Sequence, residues 1–97
     1  MNNYKKLSLE EIQIKMERLD GWIVKDRKLN KNFEFRNFIH AFGFLTKVAL
    51  ESEKINHHPE IYNVYNKVEI SLSTHDIDGI SDYDFNLAQS IDKVIVD

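Results

Sequence analysis

Of the four histidines in this chain, three fall within one 19-residue stretch: His57, His58 and His75. Imidazoles gathered in one place support two kinds of chemistry, proton transfer near neutral pH or metal binding. Two carboxylates have the spacing to assist. Glu53 precedes His57 by one helical turn, at i and i+4, so its side chain can reach that ring and hold one tautomer. Asp84 shares a helical stripe with Leu87, Ala88 and Ile91, where a leucine would be expected, and an acid pointing inward there can orient an imidazole. Each residue also has a plain structural explanation. A histidine pair at a helix end caps the last carbonyls and complements the dipole, Asp84 can be a first-turn acid in a capping-box arrangement, and Glu53 can be one more acid on a solvated face. The fourth histidine, His40, belongs to the polar side of a helix and reads as surface or interface.

Other chemistries lack their residues. Without cysteine there is no disulfide framework, no thiolate nucleophile and no Cys-based zinc site. The chain has no glycine-rich phosphate loop, no Gly-x-Ser-x-Gly elbow and no His-Glu-x-x-His helix. A His-rich zinc site would need three histidines and an acid to converge, but adjacent His57 and His58 point in different directions on an extended chain, so no metal is expected.

These side chains must be positioned by local elements. Ser8 followed by Glu11 has the form of a capping box, and Leu9, Ile12, Met16 and Leu19 continue at helical spacing, predicting a first helix over about 8–20. Trp22 to Val24 and Leu29 to Phe35 read as two strands of a hairpin with a polar turn at Asp26 to Lys28. Phe38, Ala41, Phe42, Leu45, Val48 and Ala49 form the apolar stripe of a second helix from Asn37 to about Ile55, with Phe44 beside His40 off that stripe. Pro59 disfavours helix at His58, so the helix stops near Asn56 and the histidine pair falls where the chain leaves it. Ile61 to Tyr65 and Val68 to Thr74 are strand-like around a turn at Asn66-Lys67, and the second of them delivers His75 at its end. Ser81 is an N-cap, and Leu87, Ala88, Ile91, Val94 and Ile95 form the stripe of a third helix.

The order is therefore α-β-β-α-β-β-α. Short connections favour hairpins over parallel crossovers, which predicts an α+β fold of two layers, a four-stranded antiparallel sheet with three helices on one face, in a single domain spanning 1–97. The 97 residues suffice for one core, and 13 basic against 16 acidic residues, scattered along the chain, exclude a basic face for nucleic acid. No apolar run approaches the roughly 20 residues that span a bilayer, and the start lacks an apolar signal region, so no membrane partner and a cytoplasmic location are expected. Self-association, as homodimer or homotetramer, would cover the open face and the sheet edges.

Read together, Glu53-Lys54-Ile55-Asn56-His57-His58-Pro59-Glu60, then Asn63-Val64-Tyr65-Asn66-Lys67-Val68, Ser73-Thr74-His75 and Asp84 resemble the signature of the pterin-4a-carbinolamine dehydratases. Upstream, Gly21-Trp22, Phe33-x-Phe35, Phe38, Ala41, Phe42 and Val48-Ala49 resemble the family's pattern too, while Asp78 and Ser52 depart from it where glycine and alanine are common. The resemblance implies a lyase that dehydrates 4a-hydroxytetrahydropterin to quinonoid dihydropterin, with a small-molecule pterin as substrate and no metal or organic cofactor. It puts the catalytic residues at His57, His58, His75 and Asp84, and substrate-binding ones at Glu53, Pro59, Ser73, Thr74 and Asp76. Some members of that family also act as dimerisation partners of a transcription factor. The helix face with His40, Phe44 and Lys47 is where such a non-enzymatic role would sit.

Overall fold

The computed structural model describes residues 5–95. Along the chain run α1 (Leu9–Met16), β1 (Ile23–Lys25), β2 (Lys28–Glu34), α2 (Phe38–Ile55), β3 (Glu60–Val64), β4 (Lys67–Leu72), a single 3-10 turn (His75–Ile77) and α3 (Asp82–Val94). The strands form one antiparallel sheet in the order β1-β2-β4-β3. Each hairpin is local, and α2 carries the chain from the end of β2 to the far edge, so that β4 returns beside β2 at the centre. This is the α-β-β-α-β-β-α order expected from the sequence, with the helices on one face.

The pairing explains the core. Leu29 lies opposite Leu72, and Phe33 opposite Val68, so these side chains share a face with Ile70. They are buried against Ala41, Phe44 and Val48 of α2 and Phe85, Ala88 and Ile91 of α3. Burying each such aliphatic side chain is worth roughly 1.5–3 kcal/mol. On the other face the Asn30 amide donates to Glu69 Oε2 and Ser71 Oγ, both at 2.9 Å, and Ile23, Tyr62 and Val64 stand exposed beside them. At the rim Asp92 of α3 accepts from Trp22 Nε1 at 3.0 Å and Lys31 Nζ at 2.9 Å, tying the helix to the residue before β1 and to β2. No helix among the described residues is long and apolar enough to cross a membrane.

Three expectations need correction. The first helix ends at Met16, because i to i+3 bonds from Glu17, Arg18 and Leu19 tighten its last turn and bring Leu19 back against the core. The second hairpin turns at Tyr65-Asn66, one residue early, and β4 stops at Leu72. The buried stripe of α2 is Ala41, Phe44, Val48 and Ser52, with Phe44 only 3% exposed while Phe38 and Phe42 are 48% and 56% exposed. Apolar residues surround the first turns of α2, so periodicity alone fits two stripes. The rings of Phe33 and Phe35, each centred 4.9 Å from that of Phe44, select the one that fits.

Candidate active site

The site begins at the end of α2. Asn56 adopts the left-handed conformation, φ 51°, which Asn tolerates better than most residues. Its N–H bonds the Glu53 carbonyl at 3.3 Å and the His57 N–H reaches the Ser52 carbonyl at 3.1 Å, the paired bonds of a Schellman motif. The helix is thus stopped by Asn56, and Pro59 then keeps His58 from re-entering helix. After this sharp turn the adjacent imidazoles go separate ways. His57 is buried, its Nε2 2.6 Å from Asp84 Oδ1. His58 is exposed, its Nε2 2.6 Å from Glu53 Oε2. The i, i+4 spacing pointed Glu53 at His57; the left-handed residue between them rotates His57 inward and leaves His58 for Glu53.

The second component follows β4. Thr74 N donates to the Gly79 carbonyl at 2.8 Å, closing a loop whose 3-10 turn starts at His75 and ends on Asp78, itself left-handed at φ 48°. His75 therefore stands in a tight loop beyond the strand, exposed to solvent.

The third component is the N-terminus of α3. Ser81 caps it, and Asp84 completes the capping box by accepting from Ser81 N at 2.9 Å through Oδ2. Oδ2 also accepts from Thr74 Oγ1 at 2.9 Å, while Oδ1 faces His57. Asp84 is wholly buried, so these three partners supply what a buried acid requires. Its two roles, helix cap and imidazole holder, are not alternatives: each carboxylate oxygen performs one.

Proton positions follow from donor counting. Thr74 has one hydroxyl hydrogen, committed to Asp84, so the Ser81 hydroxyl must donate across the 2.7 Å contact to Thr74 Oγ1 while accepting from Tyr83 N at 3.2 Å. An ionised Asp84 only accepts, so the proton between it and His57 sits on Nε2. Nδ1 is then the ring nitrogen of His57 left to give or take a proton. The same logic puts a proton on His58 Nε2 facing Glu53.

His57, His58 and His75 line one cavity of about 180 Å³, together with Ser73, Thr74 and Asp76. Of the other residues singled out in the sequence, Asp84 lies behind His57 and Glu53 beside His58, while Pro59 shapes the backbone and does not line the cavity. No cluster of three His, Asp or Glu among the described residues is arranged to hold a metal ion. Three neighbours escaped notice as site residues. Asn56 lines the cavity, Ser81 extends the hydroxyl chain, and the Tyr83 ring lies 5.8 Å from that of His57. Ser81 had a signal in its place as N-cap and Asn56 in its place at the end of the second helix, beside the histidine pair; Tyr83 had none.

This arrangement offers proton donors and acceptors from separate elements around one small polar cavity. The family model described as Pterin 4 alpha carbinolamine dehydratase matches residues 5–94. The chain is 54% identical over 80 residues to a protein of Prochlorococcus marinus (strain NATL2A) provisionally named pterin-4-alpha-carbinolamine dehydratase, covering 82% of this chain and 84% of that one. It is 47% identical over 90 residues to a protein of the same provisional name from Christiangramia forsetii, covering 93% of each. A crystal structure of a transcriptional coactivator/pterin dehydratase from Brucella melitensis superimposes with a TM-score of 0.91 at 34% identity, covering 95% of this chain and all of that one.

Proposed function

The chain belongs to the pterin 4 alpha carbinolamine dehydratase family, and on that premise we propose that it dehydrates 4a-hydroxytetrahydropterin to quinonoid dihydropterin and water by histidine acid-base catalysis. The C4a–O bond breaks, the departing oxygen takes a proton from one imidazole, and N5 gives its proton to another as the C4a=N5 bond forms. The principal acid-base pair is His57 and His75. His57 acts through Nδ1 as base toward N5–H, because Asp84 occupies its Nε2. His75, in its exposed loop, delivers the proton to the leaving hydroxyl. His58, held by Glu53, binds and polarises the substrate, with Ser73, Thr74 and Asp76 along the same wall. No metal or organic cofactor enters the reaction.

The observation that carries this reading is the convergence of three imidazoles, from the end of α2 and the loop after β4, on one cavity. Stopped-flow mixing with chemically generated 4a-hydroxytetrahydropterin tests it. The wild type should accelerate dehydration, and one general acid or base supplies about 10²- to 10⁴-fold, so the double variant His57→Ala, His75→Ala should lose most of that acceleration. Near-normal turnover by the double variant would defeat the assignment.

The reading includes a cytoplasmic homodimer or homotetramer. Ile39, Phe42 and Leu50, at 80%, 56% and 60% exposure, form an open apolar stripe on α2 that a second copy would cover. A monomer mass by light scattering would refute that part. The same stripe, with the name of the Brucella protein, supports a second reading, a non-enzymatic coactivator-type partner. A chain that leaves the dehydration rate at its buffer value yet binds a partner through α2, with binding lost in Phe42→Glu, would favour it. The buried Phe44 takes no part in that surface, contrary to its place off the expected stripe.

A further inference from the structure

Behind His57 the protein keeps a line of polar groups that water does not reach. Thr74 is 2% exposed, and Ser81 and Asp84 are fully buried. Thr74 borders the histidine cavity, yet its hydroxyl is committed inside the protein. Its one hydrogen goes to Asp84 Oδ2 at 2.9 Å, and its oxygen accepts from the Ser81 hydroxyl at 2.7 Å.

We propose that Thr74 is a positioning residue for proton transfer: its hydroxyl, itself held by Ser81, keeps Asp84 ionised so that His57 presents an unprotonated Nδ1 to the cavity. The inference rests on the dehydratase reading.

Helix capping does not account for the hydroxyl. Ser81 Oγ accepts from Tyr83 N and Asp84 Oδ2 accepts from Ser81 N, so α3 is capped without Thr74. The same kind of box at α1 has no such addition: Glu11 Oε1 accepts from Ser8 N, and Oε2 bonds Lys5 at the surface. At α3 one oxygen faces a buried imidazole, and the other has gained a second donor.

The reason is electrostatic. A carboxylate removed from water keeps its charge only while donors replace the water, and a hydrogen bond to the charged form favours that form. Without Thr74, Oδ2 keeps one donor, Ser81 N. The pair of Asp84 and His57 then takes up a second proton more readily. Whether that proton rests on the acid or on the ring, Nδ1 is protonated and lost as a base. Among the described residues, the other ionisable groups around the pair are Tyr83 of α3, His58 and Glu53 at the end of α2, and His75 and Asp76 beyond β4. Thr74→Val leaves all of them in place.

The test follows both the His57 ring and turnover in Thr74→Val, which keeps the shape of the side chain and removes the hydroxyl. By ¹⁵N chemical shifts, His57 Nδ1 should lose its proton at a higher pH than in wild type. For 4a-hydroxytetrahydropterin, kcat/KM should fall about 10- to 100-fold at the acid end of the profile, the worth of a hydrogen bond to a charged group, and return toward wild type as pH rises. Thr74→Ser restores the hydroxyl and should keep the wild-type titration and profile. Thr74→Ala supplies a second hydroxyl-free variant if valine prevents folding. A loss of rate that is equal at every pH, a ring titration unmoved without the hydroxyl, or a serine variant as impaired as the valine one would each overturn the role. A wild type that leaves dehydration at its buffer rate would overturn the dehydratase reading, while the ring titration, which needs no substrate, still decides whether Thr74 governs the pair.

Discussion

Asp84→Asn separates the structural and chemical roles of one buried side chain. Two donors, Ser81 N–H and Thr74 O–H, point at Oδ2, each at 2.9 Å, and a single ring nitrogen faces Oδ1. The asparagine amide must therefore turn its oxygen toward Ser81 and Thr74, since the reverse would set its NH₂ against two donors. That orientation keeps two hydrogen bonds of about 1 kcal/mol each, so the variant should fold. Asp84→Ala would instead strand three buried donors at about 1–3 kcal/mol apiece, which makes it the wrong probe. In Asp84→Asn the NH₂ now donates to His57 Nε2, so the ring proton must move to Nδ1, the nitrogen needed as base. An equivalent exchange beneath the histidine of a serine protease lowers kcat about 10⁴-fold through the wrong tautomer. For a single base, kcat/KM for 4a-hydroxytetrahydropterin should fall about 10²- to 10⁴-fold, or roughly 2.7–5.4 kcal/mol of transition-state stabilisation. Stopped-flow kinetics measure the loss, and ¹⁵N chemical shifts of the His57 ring report the tautomer. A variant whose tautomer has reversed while kcat/KM stays within threefold of wild type would refute the reasoning.

Two further perturbations test the fold that carries the site. Phe44→Ala should cost about 3–5 kcal/mol in denaturant unfolding, as expected for an aromatic ring removed from a packed core, whereas Phe42→Ala should cost under about 1 kcal/mol in the isolated chain. Equal costs would contradict the assigned face of α2. At α1, the Ser8 N–H bonded to Glu11, with Lys5 beside it, holds the Glu11 carboxyl below its ordinary pKa. A group with a depressed folded pKa stabilises the fold above its unfolded pKa, near 4.3, and that contribution is lost as pH falls through the lower folded value. Glu11→Gln should thus lower the thermal midpoint at pH 7 and match wild type once both are measured below the folded pKa; a difference that persists or grows in acid would show that the carboxylate charge is not its source.

Much of this molecule is legible in short sequence windows. Both capping boxes, Ser8 with Glu11 and Ser81 with Asp84, could be read directly, because a cap joins residues three apart and needs nothing from the rest of the chain. The hairpins and the alternation of Val68, Ile70 and Leu72 were equally plain. The face of α2 was not. Phe38, Phe42 and Phe44 all lie on a helix rich in apolar residues, and which of them enters the core depends on the rings of Phe33 and Phe35, carried by another strand. The partner of Glu53 was misread for a related reason. Helical spacing assumes that the helix continues, and one left-handed residue, Asn56, ended it before His57.

The amino-acid sequence by itself determined the elements, their order, and which residue types are present to do chemistry, since these depend on propensity and on periods of two and 3.6 residues. Tertiary structure decided which of those residues meet. His57, His75 and Asp84 come from a helix end, a loop and a helix start, and they converge because β4 pairs with β2 while α2 and α3 pack side by side on the same face of the sheet. Hydrophobic burial sets that packing without regard to direction or distance in sequence, and the short hydrogen bond between His57 and Asp84 then selects one orientation within it.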